Sequence, residues 1–96
     1  MKQYLISALD FTDKHALERR LAARPAHLEN VKILKSKNHY LIGGALLNDQ
    51  EKMIGSTMIV QFETPEALQE WLQNDPYTTG KVWDRIEIKP FKVAEI

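Results

Sequence analysis

Apolar and polar positions alternate from residue 3 to residue 9, where Tyr4, Ile6 and Ala8 interleave with Gln3, Leu5, Ser7 and Leu9. Both sets are largely apolar, the pattern of a strand covered on both faces. Thr12 and Asp13 are candidate N-caps for a helix reaching about residue 23, with Leu17 and Leu21 one turn apart on one face. Pro25 interrupts the pattern, because it lacks an N–H and crowds the preceding turn. Leu28, Val31 and Leu34 then face inward in a second helical piece, so residues 13–36 predict a broken or kinked helix. His39–Leu47 and Met53–Glu63 read as an antiparallel hairpin joined by Asn48-Asp49-Gln50-Glu51, with Ile54, Ser56, Met58, Val60 and Phe62 sharing a face. Thr64-Pro65-Glu66 predicts a second helix through a capping hydroxyl, proline at the first helical position and an acid in the first turn. Its apolar stripe is Ala67, Leu68, Trp71 and Leu72, and Asn74-Asp75-Pro76 ends it. A last strand covers roughly residues 81–93. The order β-α-β-β-α-β predicts an α+β, ferredoxin-like fold with an antiparallel sheet.

At 96 residues the chain is expected to form one domain, residues 1–96. A chain this short buries less than about 70% of its unfolded surface, so oligomerisation would add to a modest core. Thirteen basic and thirteen acidic residues cancel, which argues against the basic surface of a nucleic-acid binder. Lys32, Lys35 and Lys37 fall near a predicted helix end, where cations complement the dipole. RNA-recognition domains share this element order, but Gly55–Phe62 carries no pair of stacking aromatics. There is no cysteine, which excludes disulfides, thiol catalysis and thiolate metal sites. No apolar run approaches the roughly 18 residues of a membrane span, and residues 1–10 do not read as a signal peptide. A cytoplasmic location is the expectation.

The candidate chemistry rests on His27, in Arg24-Pro25-Ala26-His27-Leu28, and Asp75, in Asp75-Pro76-Tyr77, 48 positions apart. An imidazole exchanges protons near neutral pH, and a carboxylate on its other nitrogen would fix its tautomer. The plainer reading makes His27 an ordinary helix residue and Asp75 a helix terminator; spacing alone leaves both open. Gly43-Gly44 leaves room for a ligand or marks a bend in the sheet. Ser56 interrupts an apolar face and offers a hydroxyl for a substrate oxygen, or is a small residue that eases packing. Arg24 could hold an anion or cap a helix, and Tyr77 could donate at a pocket mouth or pack over its loop. Trp71 and Trp83 read as core or interface residues, and His15 and His39 as exposed or structural. The three histidines lack ligand spacing, so no metal site is expected. Gly43-Gly44-Ala45 matches no nucleotide-binding loop, and no cofactor is expected.

Arg24-Pro25-Ala26-His27-Leu28, Gly43-Gly44, Gly55-Ser56, Asp75-Pro76-Tyr77 and Ile88-Lys89-Pro90-Phe91 together resemble the YciI-like (YCII-related) family, in the family's order and over nearly the whole chain. The resemblance implies a ferredoxin-like subunit that pairs as a homodimeric α/β barrel with its sheets facing. It implies an active site on a His-Asp dyad, carried over to His27 and Asp75, with Ser56 nearby. The family is similar in fold to muconolactone isomerases and includes a dehydrochlorinase of a chlorinated hydroxyquinol. Two functions follow. One is a cofactor-independent lyase or isomerase using general acid–base chemistry; the other is a non-catalytic module binding a small anionic metabolite. In both, Ser56, Arg24, Gly43, Gly44 and Tyr77 are the expected ligand contacts. A cofactor-free monooxygenase is a third possibility for the fold, with no positive sign of it in the residues.

Overall fold

In the computed structural model, which describes all residues from Met1 to Ile96, the alternation in the first strand decides the layering. Strand β1 (Lys2–Asp10) buries Tyr4, Ile6, Ala8 and Asp10 beneath the helices and turns Leu5, Ser7 and Leu9 to the other face. It pairs antiparallel with β3 (Met53–Phe62) and with β4 (Trp83–Phe91), so Ile6 lies between Met58 and Ile88. Strand β2 (Tyr40–Leu47) pairs antiparallel with β3 and forms the opposite edge, giving the sheet order β2-β3-β1-β4. This is the ferredoxin-like α+β arrangement.

All helices lie on one face of the sheet. Helix α2 (Pro65–Asn74) starts as its sequence dictates: Thr64 Oγ1 accepts the Ala67 N–H at 3.2 Å and Pro65 occupies the first turn. It buries Leu68 and Leu72 against Ile6, Val60, Phe62 and Val82. Each such leucine contributes roughly 1.5–3 kcal/mol of transfer free energy.

Helix α1 departs from expectation in three ways. It starts at Ala16, not at residue 13, because Asp13 shapes the turn before it. The Asp13 side chain accepts the His15 N–H at 3.1 Å and its carbonyl accepts the Ala16 N–H at 3.1 Å. Second, α1 runs as one helix from Ala16 to Ser36 with Pro25 inside it. The proline ring holds a helical φ, and only the Leu21 carbonyl loses its donor. Leu21 and Pro25 are both exposed, so water can satisfy that carbonyl. Third, the buried stripe is Ala16, Arg20, His27 and Leu34, while Leu21 and Leu28 are exposed at 51% and 42%. The face that meets the sheet is therefore charged at its centre, and that places the site.

The chain after α2 contains an unexpected element, the one-turn helix α3 (Pro76–Thr79). Asp75 closes α2 and caps α3. Its extended backbone, φ −67° and ψ 140°, is what a residue before proline adopts. No helix is long and apolar enough to cross a membrane.

Candidate active site

His27 and Asp75, 48 positions apart, meet at 2.7 Å through His27 Nδ1 and Asp75 Oδ2. Helix α1 carries the imidazole down onto the sheet, and the cap of α3 carries the carboxylate up to it. Asp75 is fully buried. Its Oδ2 also accepts the Tyr77 N–H at 3.0 Å, and its Oδ1 accepts Asn30 Nδ2 at 2.8 Å. A fixed acceptor of three donors cannot rotate away, so it holds the imidazole with Nδ1–H toward itself. The other ring nitrogen, Nε2, has no protein partner, and His27 lines a cavity of about 160 Å³. The ring is held flat against Tyr77, with centroids 3.8 Å apart and planes at 10°, while Trp83 meets it edge-on at 5.7 Å.

A second buried pair lies beside the first. Arg20, only 2% exposed, lies about two turns back from His27 on the same stripe. Its Nη1 donates to both Asp10 oxygens at 3.0 Å, and its Nη2 donates to Ser56 Oγ at 2.9 Å. Trp83 Nε1 donates to the same Oγ at 3.1 Å. The Arg20 guanidinium also lies 4.7 Å from the centre of the Tyr77 ring. Burial raises the Asp10 carboxyl above its ordinary range, with Arg20 opposing the shift. Burial likewise raises the Tyr77 phenol, against the charges of Arg20 and Arg24. Arg20 Nε and the Tyr77 hydroxyl, atoms of two lining residues, are buried without a hydrogen-bond partner.

All seven residues singled out in the sequence line this cavity or hold a residue that does: His27, Ser56, Arg24, Gly43, Gly44 and Tyr77 line it, and Asp75 stands behind His27. The Arg24 guanidinium has no carboxylate partner and rests its Nη1 on Met53 Sδ at 2.7 Å, a weak acceptor. At Gly43 a Cβ would collide with the Tyr40 hydroxyl and come within 2.7 Å of Met58 Cβ. The missing side chain is thus what lets Tyr40 fold over the strand. A Cβ at Gly44 would meet nothing within 4 Å. Trp83 is a core residue that also donates into the site, and His15 is exposed. No cluster of acid, histidine and cysteine side chains is arranged to hold a metal.

Asp10, Arg20, Asn30 and Tyr40 were missed by reading the sequence. The signal for Arg20 was present: positions 16, 20, 23, 27, 31 and 34 form one continuous helical stripe, with His27 at its centre. It was obscured because apolarity, taken alone, selects Leu17, Leu21 and Leu28. Asp10 ends an otherwise apolar strand, and nothing local separates it from a turn residue.

An antiparallel ferredoxin-like sheet with a buried His-Asp pair under its first helix defines a class of small α+β domains with a polar internal pocket. Within that class the chain belongs to the YCII-related domain family, which matches residues 3–92. It is 39% identical to Protein YciI of Escherichia coli O6:H1 over 95 residues, 93% of this chain and 95% of that protein. It is 37% identical to an uncharacterized protein of Haemophilus influenzae, over 93% of this chain and 95% of that one. Among solved structures it is similar to the 5-chloro-2-hydroxyhydroquinone dehydrochlorinase of Burkholderia phenoliruptrix in complex with 2,5-dihydroxybenzoquinone. That similarity has a TM-score of 0.82 and 25% identity, over 96% of this chain and 95% of the other. A dimeric ferredoxin-like protein from Jannaschia shares the fold alone, with a TM-score of 0.54 at 13% identity, over 97% of this chain and all of that one, 100%.

Proposed function

We propose that the protein is a cofactor-independent enzyme of lyase or isomerase type, acting as a cytoplasmic homodimer on a small, oxygen-rich, anionic substrate. The observation that carries this reading is the 2.7 Å contact between His27 Nδ1 and a fully buried Asp75. With Nδ1–H held by Asp75, Nε2 presents its lone pair to the cavity and is the general base. Nε2 takes a proton from the carbon next to a carbonyl or from an enolic hydroxyl. The electrons of the broken bond become an enolate, and the imidazolium so formed is stabilised by Asp75. The enolate then re-forms its carbonyl. It either expels a leaving group such as chloride or takes the proton back at a different carbon. Arg24 supplies an uncommitted positive charge for the anion. The likeness to a dehydrochlorinase supports the first of the two outcomes.

The test is chloride release from 5-chloro-2-hydroxyhydroquinone by the purified protein and by His27→Ala. The expected result is turnover by the wild type and a loss of about 10²–10⁴-fold in kcat for the variant, with unchanged circular dichroism. An unaltered rate in His27→Ala removes the acid–base role. Binding of the substrate without turnover by the wild type supports a binding module in place of an enzyme.

A further inference from the structure

The hydrogen-bond inventory of Ser56 points to a role that burial alone would not assign. A serine hydroxyl offers two lone pairs and one hydrogen. Both lone pairs of Ser56 Oγ are occupied, one by Arg20 Nη2 at 2.9 Å and one by Trp83 Nε1 at 3.1 Å. Neither partner can accept: a guanidinium and an indole N–H only donate. The Ser56 hydrogen finds no acceptor in the protein, and Ser56 lines the cavity. Arg20 cannot swing away to release the hydroxyl, because Asp10 grips its Nη1 through both oxygens at 3.0 Å. A cation on the hydroxyl oxygen also strengthens it as a donor.

A neighbouring group shares this bias. Arg24 lines the same cavity and brings a guanidinium that has no carboxylate partner. His27 Nε2 is an acceptor without a protein partner at the same cavity. A ligand made mainly of donors would leave the Ser56 and Arg24 donors unsatisfied, at a cost of about 1–3 kcal/mol for each buried group. The cavity, about 160 Å³, also bounds size, since a cavity on the order of 150 Å³ holds one benzene ring.

We infer that Ser56 is an obligate hydrogen-bond donor to the substrate, held in that role by Arg20 and Trp83 as positioning residues. The site therefore takes a molecule of about one six-membered ring bearing a carbonyl or enolate oxygen. That oxygen sits on Ser56, in the cavity that His27 also lines. This deepens the acid–base reading, since it names where the developing oxyanion lies, but it concerns binding and is tested without turnover.

The experiment measures binding of 2,5-dihydroxybenzoquinone by calorimetry and by its visible absorption band, in the wild type and in Ser56→Ala, Trp83→Phe and His27→Ala. Wild-type binding is expected to move the band, because a donor on the quinone oxygen polarises the ring. Ser56→Ala is expected to weaken binding about tenfold or more and to abolish the band shift. Trp83→Phe keeps the hydroxyl but frees it to turn, so binding weakens less and the shift persists. That difference between variants is not what loosened packing would give, since both lose a hydrogen bond in the same cluster. The inference is overturned if folded Ser56→Ala binds the probe and moves its band as the wild type does. It is also overturned if the wild type fails to bind the probe at millimolar concentration. If the Ser56 pattern holds while His27→Ala turns over normally, the acid–base reading fails and this inference stands.

Discussion

At the scale of single residues, Asp75 joins folding to chemistry. The same carboxylate caps α3 through the Tyr77 N–H, holds Asn30 and orients His27. Asp75→Ala removes the acceptor of all three donors at once. We expect a stability loss of more than about 1–3 kcal/mol, the cost of one unsatisfied buried donor, and a change of the His27 tautomer from Nδ1–H toward Nε2–H. Nitrogen NMR of the histidine ring reads the tautomer directly, without any substrate, and an unchanged tautomer would contradict the orienting role. The buried phenols give a second residue-level expectation. Burial lifts both Tyr40 and Tyr77 above the ordinary value of 10.0. Above that value the unfolded chain has released phenolic protons that the folded chain still holds. Stability is therefore fully present below pH 10.0 and falls as pH rises through the folded-state values. Thermal melts across the alkaline range should show a shallower decline in Tyr77→Phe than in the wild type.

At the scale of elements, the edge strand β2 carries two adjacent glycines with opposite demands. Gly43→Ala must displace the Tyr40 hydroxyl and push on Met58 Cβ, 2.7 Å from the new atom, and on the Thr57 carbonyl at 3.0 Å. Overpacking of this kind costs typically about 1–3 kcal/mol. Gly44→Ala meets open space and gains strand entropy, so it should be neutral or stabilising by a few tenths of a kcal/mol. Equal melting temperatures for the two variants would refute this assignment. The elements were legible in the sequence wherever one physical term dominated. The alternation of β1 and β3 and the Thr64-Pro65 start of α2 follow from burial and capping, and both are where expected. Helix α1 was legible as a helix but not in its orientation, because its inward face spends two central positions on Arg20 and His27. Hydropathy ranks Leu21 and Leu28 above both, although the sheet beneath offers Asp10 and Ser56 as partners for a cation. Spacing left the pairing of His27 with Asp75 open, and the resemblance to the family supplied it. Arg20 and Asp10 were not legible, since a buried ion pair is favourable only once both partners are placed.

At the scale of the whole molecule, the sheet has a covered face and an open one. On the open face Ile42 lies opposite Ile59, and Ile59 opposite Leu5, in one row across three strands. Leu46 and Leu9 flank Gly55 two rows further toward the turn, beyond the row of Gly44, Thr57 and Ser7. Ile42, on the edge strand β2, is 65% exposed, and Leu9, on the central strand β1, is 46% exposed. Exposed apolar side chains gathered on one sheet face are what a second sheet would cover. Two such sheets packed face to face, about 10 Å apart, would bury them in a two-fold dimer. Ile42→Asp tests the arrangement, because two-fold symmetry places two unpaired carboxylates in one dry layer. Within the subunit Ile42 is largely exposed, so the variant should keep its fold and its melting cooperativity while losing self-association. Sedimentation equilibrium at micromolar concentration is expected to show a dimer for the wild type and a monomer for the variant. A wild-type monomer would count against the facing-sheet dimer. His27, Asp75, Arg20 and Ser56 are joined by contacts within one subunit. The monomeric variant should therefore still bind 2,5-dihydroxybenzoquinone, and a loss of that binding would mean that the partner's sheet completes the cavity.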